Sequence, residues 1–157
     1  MMSEKRIMDN LFITVQDPAW RKALPHYRAL CRLILSELFD LKTTEISVLL
    51  TNDTQIQKLN KQYRKKDAPT NVLSFPMPPV GAPVWQAGDI VVSLPTLQRE
   101  AKEQGKSLTA HFTHLLIHSA LHLQGYDHIL AKDAQKMEKK EIQLLGRFGY
   151  NNPYETS

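Results

Sequence analysis

The sequence predicts an α+β fold: a small mixed four-stranded sheet packed with about five helices, one of them central and bearing histidines. Three observations lead there. Short runs of β-branched and aromatic residues alternate with longer stretches in which apolar residues recur every three or four positions. A helix–strand–loop–strand section occupies residues 52–93. One late helical stretch is apolar on nearly every side, as a helix at the centre of a domain must be.

The elements follow in order. Leu11-Phe12-Ile13-Thr14-Val15, bounded by Asp9-Asn10 and Asp17-Pro18, reads as a first strand. Pro18 suits a helix start, and Trp20, Leu24, Tyr27, Leu30, Cys31, Ile34, Leu35 and Leu38 recur at three and four, predicting one long amphipathic helix to about Phe39. Residues 45–50 alternate and then turn continuously apolar, as a largely buried strand does. Thr51-Asn52-Asp53 offers a cap for a helix through Ile56, Leu59 and Tyr63. A charged turn, 64–71, precedes a strand at 72–75. Four prolines and Gly81 make residues 76–83 a loop. The fourth strand is 88–93, followed by helices at 94–104, 108–124 and 131–148.

A chain of 157 residues, 42% of them hydrophobic, fits one compact domain, 1–157, with a real core. Its 20 Lys and Arg against 16 Asp and Glu leave a net charge of +4. That permits nucleic-acid binding without requiring it. The single cysteine, Cys31, allows no internal disulfide, excludes a Cys-type structural zinc site and fits a reducing cytoplasm. No apolar segment follows Met1-Met2-Ser3-Glu4-Lys5-Arg6 and no run is long enough to span a bilayer, so a cytoplasmic location without membrane is expected.

Five of the six histidines fall between His111 and His128. Within them, His118-x-x-x-His122-x-x-x-x-x-His128 has the spacing of a metal site at one helix end. Positions i and i+4 project from one helix face a turn apart, so His118 and His122 can converge. Gly125 can end the helix in a left-handed conformation and turn the chain, which lets His128 fold back. Three imidazoles fill three positions of a tetrahedral zinc and leave the fourth for water, the arrangement of a catalytic site. Histidines at this spacing also occur as a polar face or as hydrogen-bonded core residues. The apolar stretch 115–123 favours the metal, because imidazoles packed there need partners for their ring nitrogens.

The run His118-Ser119-Ala120-Leu121-His122-Leu123-Gln124-Gly125-Tyr126-Asp127-His128 resembles the signature of the bacterial YbeY endoribonucleases. Leu59-Asn60-Lys61-Gln62-Tyr63-Arg64 followed by Asp67 through Pro76 resembles the family's second block and Gly88-Asp89-Ile90 its third, so that with the histidine run three ordered blocks cover roughly residues 59–128. Ser119 stands where the family usually has Gly, and Asn71 where it usually has Asp. The resemblance implies a zinc-dependent endoribonuclease with one Zn2+ per chain. It also implies a preference for single-stranded RNA and action on rRNA precursors, toward the 3′ end of small-subunit rRNA. Ribosome quality control, with the ribosome or its small subunit as partner and no nucleotide cofactor, belongs to the same expectation.

On that reading His118, His122 and His128 hold zinc, and a metal-activated water attacks the phosphodiester. Arg64, which the resemblance puts in the family's active cleft, offers paired donors to phosphate oxygens. From sequence alone an arginine such as Arg64 is more often a solvated helix-end charge. Lys65 and Lys66 extend a phosphate track or are plain surface. Asp127 orients a ligand imidazole or caps the turn. His114, one turn before His118, faces the same cleft or is an ordinary helix histidine. Ser74 and Phe75 shape the cleft floor. Two rival readings remain: a metallopeptidase of similar histidine spacing, which lacks the Glu expected directly after the first ligand, and a non-catalytic ribosome-assembly factor with a structural metal.

Overall fold

In the computed structural model of the chain, the residues described are 9–77, 85–126 and 131–154. Among these residues four strands and six helices run β1 (Leu11–Val15), α1 (Ala19–Ala23), α2 (Tyr27–Ser36), β2 (Thr44–Thr51), α3 (Asp53–Arg64), β3 (Val72–Pro76), β4 (Trp85–Ser93), α4 (Leu94–Glu103), α5 (Leu108–Leu123) and α6 (Ala131–Arg147). The sheet order is β1-β2-β4-β3. β1 and β4 run parallel to β2, and β3 is an antiparallel edge strand on β4. The expected mixed sheet is therefore present.

The helix count differs from about five because the long helix expected up to Phe39 is two. Leu24 lies outside the helical region at φ −139° and ψ 73°. The cause is Pro25, whose ring disfavours a helical conformation in the residue before it and which has no N–H to donate. The apolar period survives the break, since Trp20, Leu24, Cys31, Ile34 and Leu35 are all buried. Periodicity reported the buried face correctly and missed the interruption. β4 also begins earlier than the 88–93 expected, at Trp85, pairing with Thr44 across a register shift at Glu45/Ile46.

Strand alternation sorts the core into two layers. Ile46, Val48, Leu50, Ile90 and Val92 point to the face covered by α5 and the main core. Ile56 of α3, Leu73 and Val91 form a smaller cluster on the opposite face. Asn52 caps α3, its side-chain oxygen accepting from the Gln55 N–H at 3.0 Å.

α5 is the central element. Trp20 meets Phe112 edge-on at 5.6 Å between ring centroids, and Trp20 donates from Nε1 to the Thr51 carbonyl at 2.8 Å. Between 111 and 123 every residue is buried except His114, His118 and His122, which are half-buried. The C-terminal end of α5 packs close to the β3–β4 pair. At Gly88, φ +139°, a Cβ would stand 2.2 Å from the Phe75 carbonyl oxygen and 3.0 Å from a Leu123 methyl. Only glycine fits there. Cys31 is buried in α2, where burial pushes its thiol up to about 12. No helix among the described residues is long and apolar enough to cross a membrane.

Candidate active site

His114, His118 and His122 recur every four residues along α5, so their rings project as one stripe through its otherwise apolar surface. They line a cleft of about 790 Å³ whose opposite wall is the end of α3 and the edge strand β3. Arg64, Thr70, Asn71, Val72, Ser74 and Tyr126 line it too.

The closest approach within the stripe is His118 Nε2 to His122 Nε2, at 3.2 Å. Two nitrogens held by one tetrahedral zinc at about 2.0–2.1 Å stand roughly 3.3–3.4 Å apart. The pair therefore fits a shared ion. Each ring is also anchored through its other nitrogen: His122 Nδ1 lies 3.1 Å from the Tyr126 carbonyl, and His118 Nδ1 lies 2.7 Å from Glu141 Oε2. A ring nitrogen turned to a carbonyl or carboxylate is what metal-binding imidazoles show. Among the described residues no group of three His, Cys, Asp or Glu side chains is placed to hold an ion. The expected third ligand, His128, and Asp127 lie outside the described residues.

The turn after α5 has the form expected of Gly125. With φ +100° at Gly125, the Gly125 N–H donates to the His122 carbonyl at 3.0 Å and the Tyr126 N–H to the Leu121 carbonyl at 3.0 Å. This paired closure ends the helix and brings the Tyr126 carbonyl under the His122 ring.

Arg64 is the last residue of α3. Lys65 follows it in the left-handed region, φ 61°. The guanidinium Nη2 donates to the Ser74 carbonyl at 3.2 Å, so Arg64 and Ser74 form one wall of the cleft. The turn between them is tied back to α3, as Asn60 Nδ2 donates to the Ala68 carbonyl at 2.9 Å and Gln57 Nε2 to Asp67 Oδ1 at 2.9 Å. Lys65 and Lys66 are exposed and do not line this cleft. Phe75 does not line it either. It points to the other sheet face, where Tyr63 meets it edge-on at 5.3 Å, because successive strand residues alternate sides.

Ser119 and Asn71, where the resemblance leads one to expect Gly and Asp, have local explanations. Ser119 is fully buried, small enough for the packing there, and its hydroxyl has no partner among the described residues. Asn71 Nδ2 donates to both oxygens of Glu100, at 3.0 and 3.3 Å, and His111 Nε2 lies 2.8 Å from Glu100 Oε1. An amide suits this carboxylate, whereas an ionised Asp in its place would repel it.

Sequence reasoning missed Glu141 of α6. It is fully buried, Oε1 lying 2.9 Å from His114 Nε2 and accepting from the Tyr154 hydroxyl at 2.6 Å, with Oε2 facing His118. Burial works to raise its carboxyl, but the hydrogen bonds from His114, His118 and Tyr154 outweigh that and lower it from 4.5 to about 2. Tyr154 is pushed up by its own burial and by the bond to Glu141. The signal was present: Glu141 falls in step with Met137, Leu144 and Leu145, the buried stripe of α6, where a carboxylate needs a partner.

These shifts set an expected acid sensitivity for the metal-free protein. His111 lies below its ordinary 6.5, chiefly because it is buried. The unfolded chain thus takes up a proton that the folded one resists, and stability declines as pH falls below about 6.5. Glu141 contributes fully above 4.5 and loses its contribution as pH falls toward about 2. At pH 3 this amounts to about 2 kcal/mol from Glu141 alone. Urea midpoints at pH 7.5, 5.5 and 3 should fall in that order, and Glu141→Gln should flatten the lower part of the decline.

The family model described as Endoribonuclease YbeY matches residues 14–149. Proteins named Endoribonuclease YbeY are similar over most of the chain. That of Alteromonas mediterranea is 44% identical over 116 residues, 73% of each chain. That of Magnetococcus marinus is 47% identical over 121 residues, 70% of this chain and 82% of its own. The Colwellia psychrerythraea protein is 47% identical over 111 residues, 70% and 72%. The solution structure of TM1509 from Thermotoga maritima has the same fold, with a TM-score of 0.54 at 24% identity over 94% of this chain and 97% of its own.

Proposed function

Because this chain belongs to the YbeY endoribonuclease family and is thereby an RNA-cleaving hydrolase, we propose that it is a single-domain, zinc-dependent, single-strand-preferring endoribonuclease of rRNA maturation. Its catalytic site is the cleft between β3 and α5, and its substrates are rRNA precursors near the 3′ end of small-subunit rRNA. It acts in the cytoplasm on or beside the small ribosomal subunit, in maturation and in quality control. The observation that carries this reading is the pair of imidazole nitrogens 3.2 Å apart, in one cleft with an arginine.

His118 and His122 would hold the zinc ion, with His128 as third ligand by the family resemblance. When bound, the ion supplies a Lewis acid and lowers the pKa of a water toward ~7. Arg64 binds the scissile phosphate: its guanidinium stays charged, and the Ser74 carbonyl fixes one of its donors while others remain for phosphate oxygens. The Tyr126 carbonyl holds the His122 ring in place. His118 is 28% exposed, so its ring is reachable from the cleft it lines, and the preference for single strands follows from the family resemblance. The chain's net charge of +4 draws RNA toward it.

A peptidase fits less well. The position after the first ligand, where such enzymes carry their general-base Glu, is the fully buried Ser119. Assays of the zinc-loaded protein on a single-stranded RNA, a duplex of the same sequence and a denatured protein separate the readings. Metal-dependent cleavage of the single strand, weakening as salt rises, is the expected result. Peptide-bond cleavage would support the protease, and turnover of none of the three would leave an assembly factor.

A further inference from the structure

Glu141 divides its two oxygens between different duties. Oε2 faces His118 Nδ1 at 2.7 Å, while Oε1 receives His114 Nε2 at 2.9 Å and the Tyr154 hydroxyl at 2.6 Å. An ionised carboxylate only accepts, so the hydrogen on His118 must be at Nδ1 and that on His114 at Nε2. The lone pair of neutral His118 is then on Nε2, the atom that faces His122.

Resting on the metal-dependent reading above, we propose that Glu141 is a positioning residue. It fixes the tautomer and ring direction of His118 for metal binding, and Tyr154 and His114 hold its other oxygen in place. Glu141 is fully buried behind the imidazoles and does not reach substrate, so it acts through His118. A carboxylate in the stripe of Met137, Leu144 and Leu145 costs more than a hydrophobic residue would, and its retention there is accounted for by the imidazole it orients.

His114 is a brace in this arrangement. Its Nε2 is committed to Glu141, and its Nδ1 is buried with no partner among the described residues. Tyr154 comes from the segment after α6. Its N–H donates to Asn152 Oδ1 at 2.8 Å, and its ring meets His114 edge-on at 5.9 Å, so a turn beyond the last helix completes the support of a residue in α5.

The test uses Glu141→Gln and Tyr154→Phe in the full chain, with zinc affinity read by chelator competition and the His118 tautomer read by nitrogen NMR of the metal-free protein. Glutamine has one acceptor and one donor end, so it cannot serve His118 while also accepting from His114 and Tyr154. Its zinc dissociation constant should rise roughly 10- to 100-fold, and His118 should lose its uniform Nδ1–H form. Tyr154→Phe removes one hydroxyl and should raise the constant only a few-fold. It decides the matter should Glu141→Gln fail to fold. Unchanged zinc affinity in both variants, or an Nε2–H tautomer of His118 in the wild type, would overturn the positioning role. A wild-type protein that takes up no zinc would instead sink the metal reading, and the tautomer would then decide the Glu141 geometry by itself.

Discussion

Replacing Arg64 by alanine is expected to lower cleavage of single-stranded RNA by about 10²- to 10³-fold while leaving zinc content unchanged. The guanidinium lies across the cleft from His118 and His122 and is tied to the protein there through one bond to the Ser74 carbonyl. What its loss removes is charge on the substrate side, where negative charge develops on the phosphoryl oxygens as the bond breaks. Arg64 ends an exposed turn of α3, so the fold should survive the change. Arg64→Lys should recover only part of the rate, because an ammonium is a point charge without the paired donors of the fork. Initial rates and elemental analysis on the same preparations check both statements. Full activity in Arg64→Ala would remove this residue from the mechanism.

The second large effect is expected from His122→Ala and, separately, His118→Ala. Each removes one of the two nitrogens that stand 3.2 Å apart, and zinc occupancy and RNA cleavage should fall together, cleavage by at least about 10³-fold. Residual zinc should bind in neither variant at micromolar concentration. His114→Ala is the informative control on the same helix face. It lines the cleft but keeps its Nε2 on Glu141, so its loss should weaken zinc binding without abolishing it. Equal loss at all three positions would mean that the stripe acts as a packing unit.

Much of this was legible in the residues. Val, Ile, Phe and Thr at 11–15 specified β1 to its end residues, and the histidine spacing on an apolar helix specified a central element with one polar stripe. Gly125 marked the end of α5 by its need for positive φ. Two other features were not read. A hydrophobic period continues through Pro25 because it reports which face is buried, and says nothing of whether the backbone hydrogen bonds are continuous. Glu141 and Tyr154 are distant from the histidines in sequence, by 23 residues in the bond to His118, and only the packing of α6 on α5 brings them together. Asn71 shows the same limit, since its match to Glu100 is 29 residues away.

The most direct test of a metal-dependent nuclease in this cleft is a zinc titration of the stripped protein, followed by RNA cleavage and by X-ray absorption at the zinc edge. The account predicts that activity is absent without metal, rises to a break at one equivalent per chain, and coincides with three imidazole nitrogens at about 2.0–2.1 Å. Full RNA cleavage by protein that holds no metal, with no break in the titration, would contradict it.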